Sequence, residues 1–178
     1  MSKNIKGVLI SSGKIKNRVS IIAASISSDY ADQTITVVGV LNGSFVFVSD
    51  LIRQISRNVQ VRVRFISLSS YGDNVISSRN VEITNGEKLS CIDEDVIIVE
   101  DIVDTGLTIQ TARRLVVSAG ARSVRVAALL SKPNLHSQTI DYLGFEIPDE
   151  FVVGYGLDHA GLYRNLSGIY TLEDRVSV

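Results

Sequence analysis

Apolar residues recur every three or four positions in three stretches of the chain, as they do on the buried face of a helix. The first stretch, residues 15–26, ends where serine and aspartate break the pattern, and the second covers residues 44–57. The third, residues 108–121, carries Gly120 at a position where helices commonly end on glycine. This spacing predicts three amphipathic helices.

Between these stretches lie runs that are typical of strands. Residues 34–41 and 95–103 are rich in β-branched and other apolar side chains, which favours strands covered on both faces. Residues 123–132 supply another strand, and residues 59–68 alternate like a strand with one polar face. Alternating strands and helices predict an α/β fold with a mostly parallel, twisted sheet and helices on both faces. Ligands of such sheets bind at the carboxyl ends of the strands.

One segment interrupts this alternation. Residues 69–94 are rich in serine, asparagine, glycine and aspartate around a small apolar patch at residues 81–83, which predicts a long loop or a loose hairpin. No repeat, proline-rich linker or block of charge marks a domain boundary, so we expect residues 1–178 to form a single domain.

Composition narrows the class of protein. A chain of 178 residues that is 45% hydrophobic and 21% charged can bury one core, which excludes a disordered or low-complexity chain. The charges of eighteen basic and nineteen acidic residues nearly cancel, so the protein has no overall electrostatic field that attracts nucleic acid. We therefore expect no nucleic-acid partner. The lone Cys91 cannot form an internal disulfide, and no apolar run is long enough to span a membrane. We therefore expect a cytoplasmic protein without a membrane partner.

The segment EDIVDTGLT, residues 100–108, carries the clearest chemistry. It ends an apolar strand on two carboxylates and then opens a helix at Gly106, whose conformational freedom permits a tight turn. The free N–H groups of that helix, with the hydroxyls of Thr105 and Thr108, form a cradle for one phosphate. The patterns GxxxxGK[ST] and GxGxxG are absent, which disfavours nucleoside triphosphate hydrolysis and dinucleotide binding.

Three carboxylates stand beside this cradle within five residues, those of Glu100, Asp101 and Asp104. Such a cluster is unfavourable unless a cation or a hydroxylated ligand compensates its charge. Mg²⁺ together with a phosphorylated sugar meets both needs.

A family resemblance adds to this pattern. EDIVDTGLT resembles the signature of phosphoribosyltransferases that use 5-phosphoribosyl 1-pyrophosphate (PRPP), and four further segments resemble their hypoxanthine-guanine branch. All five stand in the family's order, and the other four are LNGSFVFVSDL, SLSSYGD, LLSKP and FVVGYGLDHAGLYRNL. The resemblance implies a type I phosphoribosyltransferase fold, with a small hood and base-binding part at about residues 133–178. It also implies a mobile lid that begins at Ser69, Ser70 and Tyr71.

The activity implied by the resemblance is purine salvage. The phosphoribosyl group of PRPP would be transferred to N9 of hypoxanthine, and of guanine, which gives the nucleoside monophosphate and releases pyrophosphate. Mg²⁺ is the implied cofactor, and a homodimer or homotetramer is the implied assembly. Two alternatives stay open. One is a xanthine-preferring or pyrimidine-specific transferase, and the other is a nucleotide-sensing, RNA-binding regulator with a basic patch at Arg53, Arg57, Arg62 and Arg64.

The resemblance also assigns the phosphoribosyl side of the site. Glu100 and Asp101 would hold the ribose hydroxyls and Mg²⁺, and Asp158 would be a second carboxylate on the metal side. Asn42 and Leu107 stand where relatives often carry lysine, so part of the positive charge over the phosphates is missing. The residues implied for PRPP are Asn42, Gly43, Glu100, Asp101, Asp104, Thr105, Gly106, Leu107, Thr108 and Arg164.

For the base, the resemblance places Asp104 near N7 of the purine as general base or acid, and Lys132 as the donor to the exocyclic O6. Phe151 would stack on the base, and Ile102 would pack against its opposite face. The residues implied for base binding are Ile102, Lys132, Phe151, Val152 and Asp158.

Overall fold

The computed structural model describes residues 5–68, 81–83, 89–133 and 139–173. Three helices and nine strands lie within these residues. In chain order they are β1 (Ile5–Ile10), α1 (Ser12–Asp29), β2 (Thr34–Leu41), α2 (Phe45–Ile52), β3 (Gln60–Leu68), β4 (Val81–Ile83), β5 (Asp95–Val103), α3 (Leu107–Ser118), β6 (Ser123–Ser131), β7 (Tyr142–Glu146), β8 (Val152–Val153) and β9 (Ile169–Leu172).

A six-stranded sheet organises the chain, with the strand order β4-β3-β2-β5-β6-β7. Five of these strands, β3, β2, β5, β6 and β7, run parallel to one another. Strand β4 pairs antiparallel with β3 at the edge of the sheet. The longest apolar runs, β2 and β5, lie side by side at the centre, where both faces of the sheet are covered. The mostly parallel sheet predicted from the sequence is therefore confirmed.

Alternate residues of the central strands face two separate apolar layers. Val37 and Ile97 pack with α1 and α2 on one face, whereas Val38 and Ile98 pack with α3 on the other. Gly120, with a φ of +93°, lies just beyond the end of α3, as predicted for a helix that ends on glycine. Helices thus cover both faces of the sheet.

The second helix differs from its prediction. It covers only Phe45–Ile52 rather than residues 44–57, and Phe45, which belongs to the periodic apolar pattern of that stretch, is 44% exposed. Phe47, Val48 and Leu51 face the core instead. A helix of two turns buries only a narrow face, and the chain turns away at Arg53, so the longer periodic pattern does not apply.

A smaller antiparallel sheet, with the order β1-β9-β8, stands apart from the large one. Its strand β1 was not predicted from the sequence, because exposed Ile5 and Val8 give it no clear alternation. This sheet combines the start of the chain with two strands of the hood expected at residues 133–178, whereas β7 from the same range joins the large sheet.

The expected lid residues Ser69, Ser70 and Tyr71 lie outside the described residues. Within the predicted loop or hairpin at residues 69–94, β4 pairs antiparallel with the end of β3, as a hairpin requires. In the part of the chain that the structure describes, no helix is long and apolar enough to cross a membrane.

Candidate active site

A cavity of about 330 Å³ opens at the carboxyl ends of β2, β5 and β6, where the parallel sheet is expected to bind its ligand. The residues after these strands form one wall, and the segment at residues 150–164 forms the other. Twelve residues line it, and ten of them were predicted as site residues. The lining consists of Asn42, Gly43, Asp101, Ile102, Asp104, Lys132, Glu150, Phe151, Val152, Leu157, Asp158 and Arg164.

The lining also departs from the prediction. Glu150 and Leu157 line the cavity without having been predicted, because neither belongs to a residue pattern with its own chemistry. Their only signal is their position next to Phe151 and Asp158. Conversely, Glu100 and the residues at 105–108 do not line the cavity but adjoin residues that do.

The predicted phosphate cradle has the expected backbone. Gly106 is the N-cap of α3 with a φ of +79°, a left-handed conformation that glycine adopts readily, and no side chain of the described residues caps the helix. The backbone N–H of Leu107 points at the hydroxyl of Thr105 at a long 3.5 Å. Asp104 therefore does not act as the helix cap. The free N–H groups of the first turn of α3 can bind an anion.

Two buried carboxylates end strand β5. Glu100 and Asp101 are 7% and 6% exposed, and Oε2 of Glu100 has no hydrogen-bond partner among the described residues. Burial raises the pKa of both carboxyl groups, and the neighbouring carboxylate of Asp101 raises the pKa of Glu100 further. Unliganded, this pair is held in the fold at a free-energy penalty.

These carboxylates fit the binding of a divalent cation through one or two protein oxygens. In the described residues no three carboxylate, imidazole or thiol groups form a preformed metal cluster, so Glu100, Asp101 and Asp158 do not make one shared cage. Mg²⁺ commonly takes one or two carboxylates and completes its shell with water and substrate oxygens. The unpartnered oxygen of Glu100 and the adjacent Asp101 suit this mode of binding.

Replacing Glu100 with glutamine should stabilise the metal-free protein. Because the folded state holds the Glu100 proton more tightly than the unfolded chain, its contribution to stability is present at low pH and is lost as the pH rises through the raised pKa. We expect Glu100→Gln to raise the free energy of unfolding at about pH 7.5 by about 1–3 kcal/mol, and by less at about pH 5. Urea denaturation in the presence of a chelator measures this difference.

Glu94→Gln is the matched control, because the carboxylate of Glu94 is well partnered. It accepts hydrogen bonds from Arg64 and from the hydroxyl of Thr36, the latter at 2.8 Å. The hydrogen bond from Arg64 lowers the pKa of Glu94, despite the opposing effect of burial. Glu94→Gln should therefore destabilise the protein. Equal destabilisation by both variants would show that the fold stabilises the charge of Glu100.

Lys132 lies at the end of β6 between two carboxylates. Its Nζ is 3.2 Å from Oδ2 of Asp104 and 2.8 Å from Oδ1 of Asp149, and its side chain is only 13% exposed. Its backbone N–H donates to the carbonyl of Val103 at 3.0 Å, which ties it to the end of β5. The residues predicted for O6 of the base and for proton transfer are thus brought together.

Arg164 and Asp158 form a second pair in the opposite wall of the cavity. A guanidinium nitrogen of Arg164 lies 2.7 Å from Oδ1 of Asp158, and the other donates to the carbonyl of Gly156 at 2.5 Å. Oδ2 of Asp158 accepts from the backbone N–H of Gly161 at 2.7 Å. The residues predicted for pyrophosphate and for the metal side therefore neutralise each other in the free protein.

The backbone after β2 is packed closely from both sides. The peptide bond between Leu41 and Asn42 is cis. A Cβ at Gly43 would lie 1.7 Å from Oδ2 of Asp101, and a Cβ at Gly156 would lie 2.2 Å from the carbonyl oxygen of Gly43. Glycine at position 43 therefore lets the backbone approach the carboxylate of Asp101, and glycine at position 156 lets a second segment approach the backbone of Gly43.

The side chains predicted for the purine ring line the cavity. Phe151 is 52% exposed, and its ring lies edge-on to that of His159 with 5.3 Å between centroids. Ile102 is partly buried against the core, and Val152 is 6% exposed in β8. An exposed aromatic ring and an aliphatic side chain in one cavity can enclose a flat heterocycle.

The arginines that could have formed an RNA-binding patch are divided. Arg62 and Arg64 extend from β3 and share the carboxylate of Glu94, on the side of the sheet covered by α3. Arg53 follows α2 on the other side and pairs with Asp50. These described residues do not form one continuous basic surface.

Comparisons with known proteins agree with this geometry. The sequence model of the phosphoribosyl transferase domain family matches residues 11–160. The hypoxanthine-guanine phosphoribosyltransferase of Staphylococcus epidermidis is 41% identical over 178 residues, which cover 99% of this chain and 98% of that protein.

Solved structures are similar as well. A crystal structure of a hypoxanthine-guanine phosphoribosyltransferase from Bacillus anthracis has a TM-score of 0.83 at 38% identity, covering 96% of this chain and 100% of that one. A hypoxanthine phosphoribosyltransferase from Staphylococcus aureus has a TM-score of 0.85 at 38% identity, covering 98% and 95%. The type I phosphoribosyltransferase fold implied by the sequence is thereby confirmed. With its fold, its cavity and its full-length similarity in agreement, the chain belongs to the hypoxanthine-guanine branch of the phosphoribosyltransferase family.

Proposed function

We propose that, in this cavity, the protein transfers the phosphoribosyl group of PRPP to N9 of hypoxanthine or guanine and releases pyrophosphate. The chain is a purine-salvage phosphoribosyltransferase by its family, and the substrates and residue roles are the proposal. One observation carries it: a single cavity at the ligand-binding edge of the sheet gathers ten residues that the family resemblance assigned to PRPP, metal and purine.

The phosphoribosyl group would be held at the end of β5. Residues 104–108 would offer the backbone N–H groups of the first turn of α3 to the 5-phosphate. Binding through these N–H groups needs no lysine in this loop. Glu100 and Asp101 would accept hydrogen bonds from the two ribose hydroxyls. Hydroxyl donors would satisfy the unpartnered oxygen of Glu100 and so offset part of the penalty of its burial.

The purine would enter between Phe151 and Ile102. Lys132 would donate to O6, and Asp104 would accept the proton from N7 as N9 bonds to the ribose carbon and the bond from that carbon to pyrophosphate breaks. Because Lys132 already contacts Asp104, one binding event places both groups against the same edge of the purine, which carries O6 and N7. Positioning of this kind lowers the entropic part of the barrier.

The leaving pyrophosphate would meet Arg164 and the backbone at Asn42 and Gly43. Arg164 would exchange its partner Asp158 for pyrophosphate. The planar guanidinium suits this ligand because it can donate two parallel hydrogen bonds to a pair of phosphate oxygens. Bound Mg²⁺ supplies charge that stabilises the pyrophosphate leaving group. The carboxylates that would hold it are those of Glu100 and Asp101 or, after release from Arg164, that of Asp158.

The proposed function is tested by incubating the purified protein with PRPP, Mg²⁺ and one of hypoxanthine, guanine, xanthine or uracil, and identifying products by mass. We expect the monophosphates of hypoxanthine and guanine, complete loss of product with excess chelator, and recovery when Mg²⁺ is restored. A product from xanthine or uracil alone would contradict the assigned bases. Nucleotide binding without any product would instead favour the regulatory alternative.

The remaining assignments stay predictions. These are the lid at Ser69, Ser70 and Tyr71, the homodimer or homotetramer, the division of residues 1–178 into one domain with a hood, and the cytoplasmic location.

A further inference from the structure

The ammonium of Lys132 is held by two carboxylates that come from different parts of the fold. Asp104 follows β5 and lines the cavity together with Lys132. Asp149 lies between β7 and β8, is not part of the cavity lining, and makes the shorter contact, 2.8 Å against 3.2 Å. Asp149 therefore contacts Lys132 without being placed to contact the substrate.

Backbone hydrogen bonds fix both ends of this contact. The N–H of Ile147 donates to the carbonyl of Ser131 at 2.9 Å, which anchors the Asp149 segment to the residue just before Lys132. The N–H of Lys132 itself donates to Val103. Because both segments are tied to the ends of β5 and β6, the Asp149–Lys132 pair is positioned by the sheet and not by a free loop.

The chemistry of an ammonium group leaves one donor for the substrate. Lys132 has three N–H donors, and the two carboxylates occupy two directions around Nζ. The third can point into the cavity that Lys132 lines. When Asp104 turns to the imidazole part of the purine, Asp149 is the carboxylate that still holds Nζ in place. Asp149 is also the main cause that raises the pKa of Lys132, ahead of Asp104.

We propose that Asp149 is a positioning residue for base selection: it holds Nζ of Lys132 so that one N–H faces the 6-oxo group, and thereby sets the affinity for 6-oxopurines. This inference rests on the role proposed above for Lys132 as the donor to O6. Asp149, a carboxylate outside the cavity, would thus change the affinity for the base but not the affinity for PRPP.

The variant Asp149→Asn tests this role, since asparagine keeps the size of the side chain and removes its charge. We expect the KM for hypoxanthine to rise about 5-fold, as for the loss of one partly exposed ion pair, while the KM for PRPP changes less than about 2-fold. Asp93→Asn is the matched control. Asp93 is exposed before β5, at the amino end of the sheet, and its φ of +56° suits asparagine as well.

A ligand without the 6-oxo group separates positioning from a general structural effect. Calorimetry should show weaker binding of IMP to Asp149→Asn, but unchanged binding of purine riboside monophosphate, which has hydrogen at position 6. In a Lys132→Ala background, Asp149→Asn should have no further effect on IMP, because the group that it positions is gone.

The outcomes distinguish this inference from the proposed function. If Lys132→Ala weakens IMP and purine riboside monophosphate equally, the role of Lys132 in reading O6 is wrong. If Lys132→Ala discriminates between the two ligands and Asp149→Asn does not, Lys132 keeps its role and the positioning role of Asp149 is overturned.

Discussion

Asp104→Asn is expected to lower kcat by about 10²- to 10⁴-fold, the range typical of a lost general acid or base. Asp104 lines the cavity, is 58% exposed on its side chain and lies 3.2 Å from Nζ of Lys132. Asparagine can still accept a hydrogen bond from Lys132, but it cannot take up or give the proton at N7. The loss should therefore fall on turnover at saturating PRPP and hypoxanthine, while calorimetric binding of IMP changes only modestly.

The matched control for this prediction is Asp149→Asn, which also removes one of the two carboxylates beside Lys132. If the role of Asp104 were only to balance the charge of Lys132, the two variants would lose kcat to a similar extent. We expect Asp149→Asn to lower kcat by less than about 10-fold, because it leaves the proton-transfer group in place. Unchanged turnover of Asp104→Asn would exclude a proton-transfer role.

The strands and helices that were predicted best are those whose signal is local. The runs of β2 and β5 are buried on both faces, so the continuous apolar pattern that identified them reflects their place in the sheet. Strand β1 had no such signal, because it is an edge strand that pairs with β9 from the other end of the chain. Pairing at that sequence distance leaves no periodic trace when half the strand is exposed.

The site shows the same difference between features with a local sequence signal and contacts between distant parts of the chain. Residue types in EDIVDTGLT indicated an anion cradle and a carboxylate cluster; in the structure Gly106 is the left-handed N-cap of α3 and Asp101 lines the cavity. What no local pattern could show is which side chains meet across the cavity. The contact between Asp149 and Lys132 depends on how the segment after β7 is anchored to β6.

Two ion pairs explain how the free site tolerates its charges. Lys132 pairs with Asp104, and Arg164 pairs with Asp158. Under the proposed roles, each cation that would bind a substrate is thus balanced by a carboxylate that would bind one as well. Substrate binding would then replace Asp158 at Arg164 with pyrophosphate and turn Asp104 from Lys132 toward the purine, rather than fill an electropositive pocket. Under the proposed roles, Asn42 brings no positive charge to the pyrophosphate, so Arg164 would bear more of that exchange.

Gly43→Ala is expected to lower kcat/KM for PRPP by at least about 100-fold and to reduce the free energy of unfolding by about 1–3 kcal/mol, as for other overpacked sites. The added Cβ would lie 1.7 Å from Oδ2 and 2.5 Å from Cγ of Asp101. Asp101 is 6% exposed, so its carboxylate can relieve the clash only by moving from its buried position. The clash must therefore displace either the backbone proposed to face pyrophosphate or the carboxylate proposed to hold the ribose hydroxyls and Mg²⁺.

Gly13→Ala is the matched control, because a Cβ there meets no atom within 4 Å and the residue lies in the first turn of α1. It should leave kcat/KM unchanged and keep or raise Tm, since alanine favours a helix over glycine. The double variant Gly43→Ala with Asp101→Ala should regain the stability of Asp101→Ala alone, because the clashing carboxylate is gone, yet remain inactive. If Gly43→Ala by itself keeps full kcat/KM for PRPP, the close approach of these two segments is not what shapes the pyrophosphate side of the site.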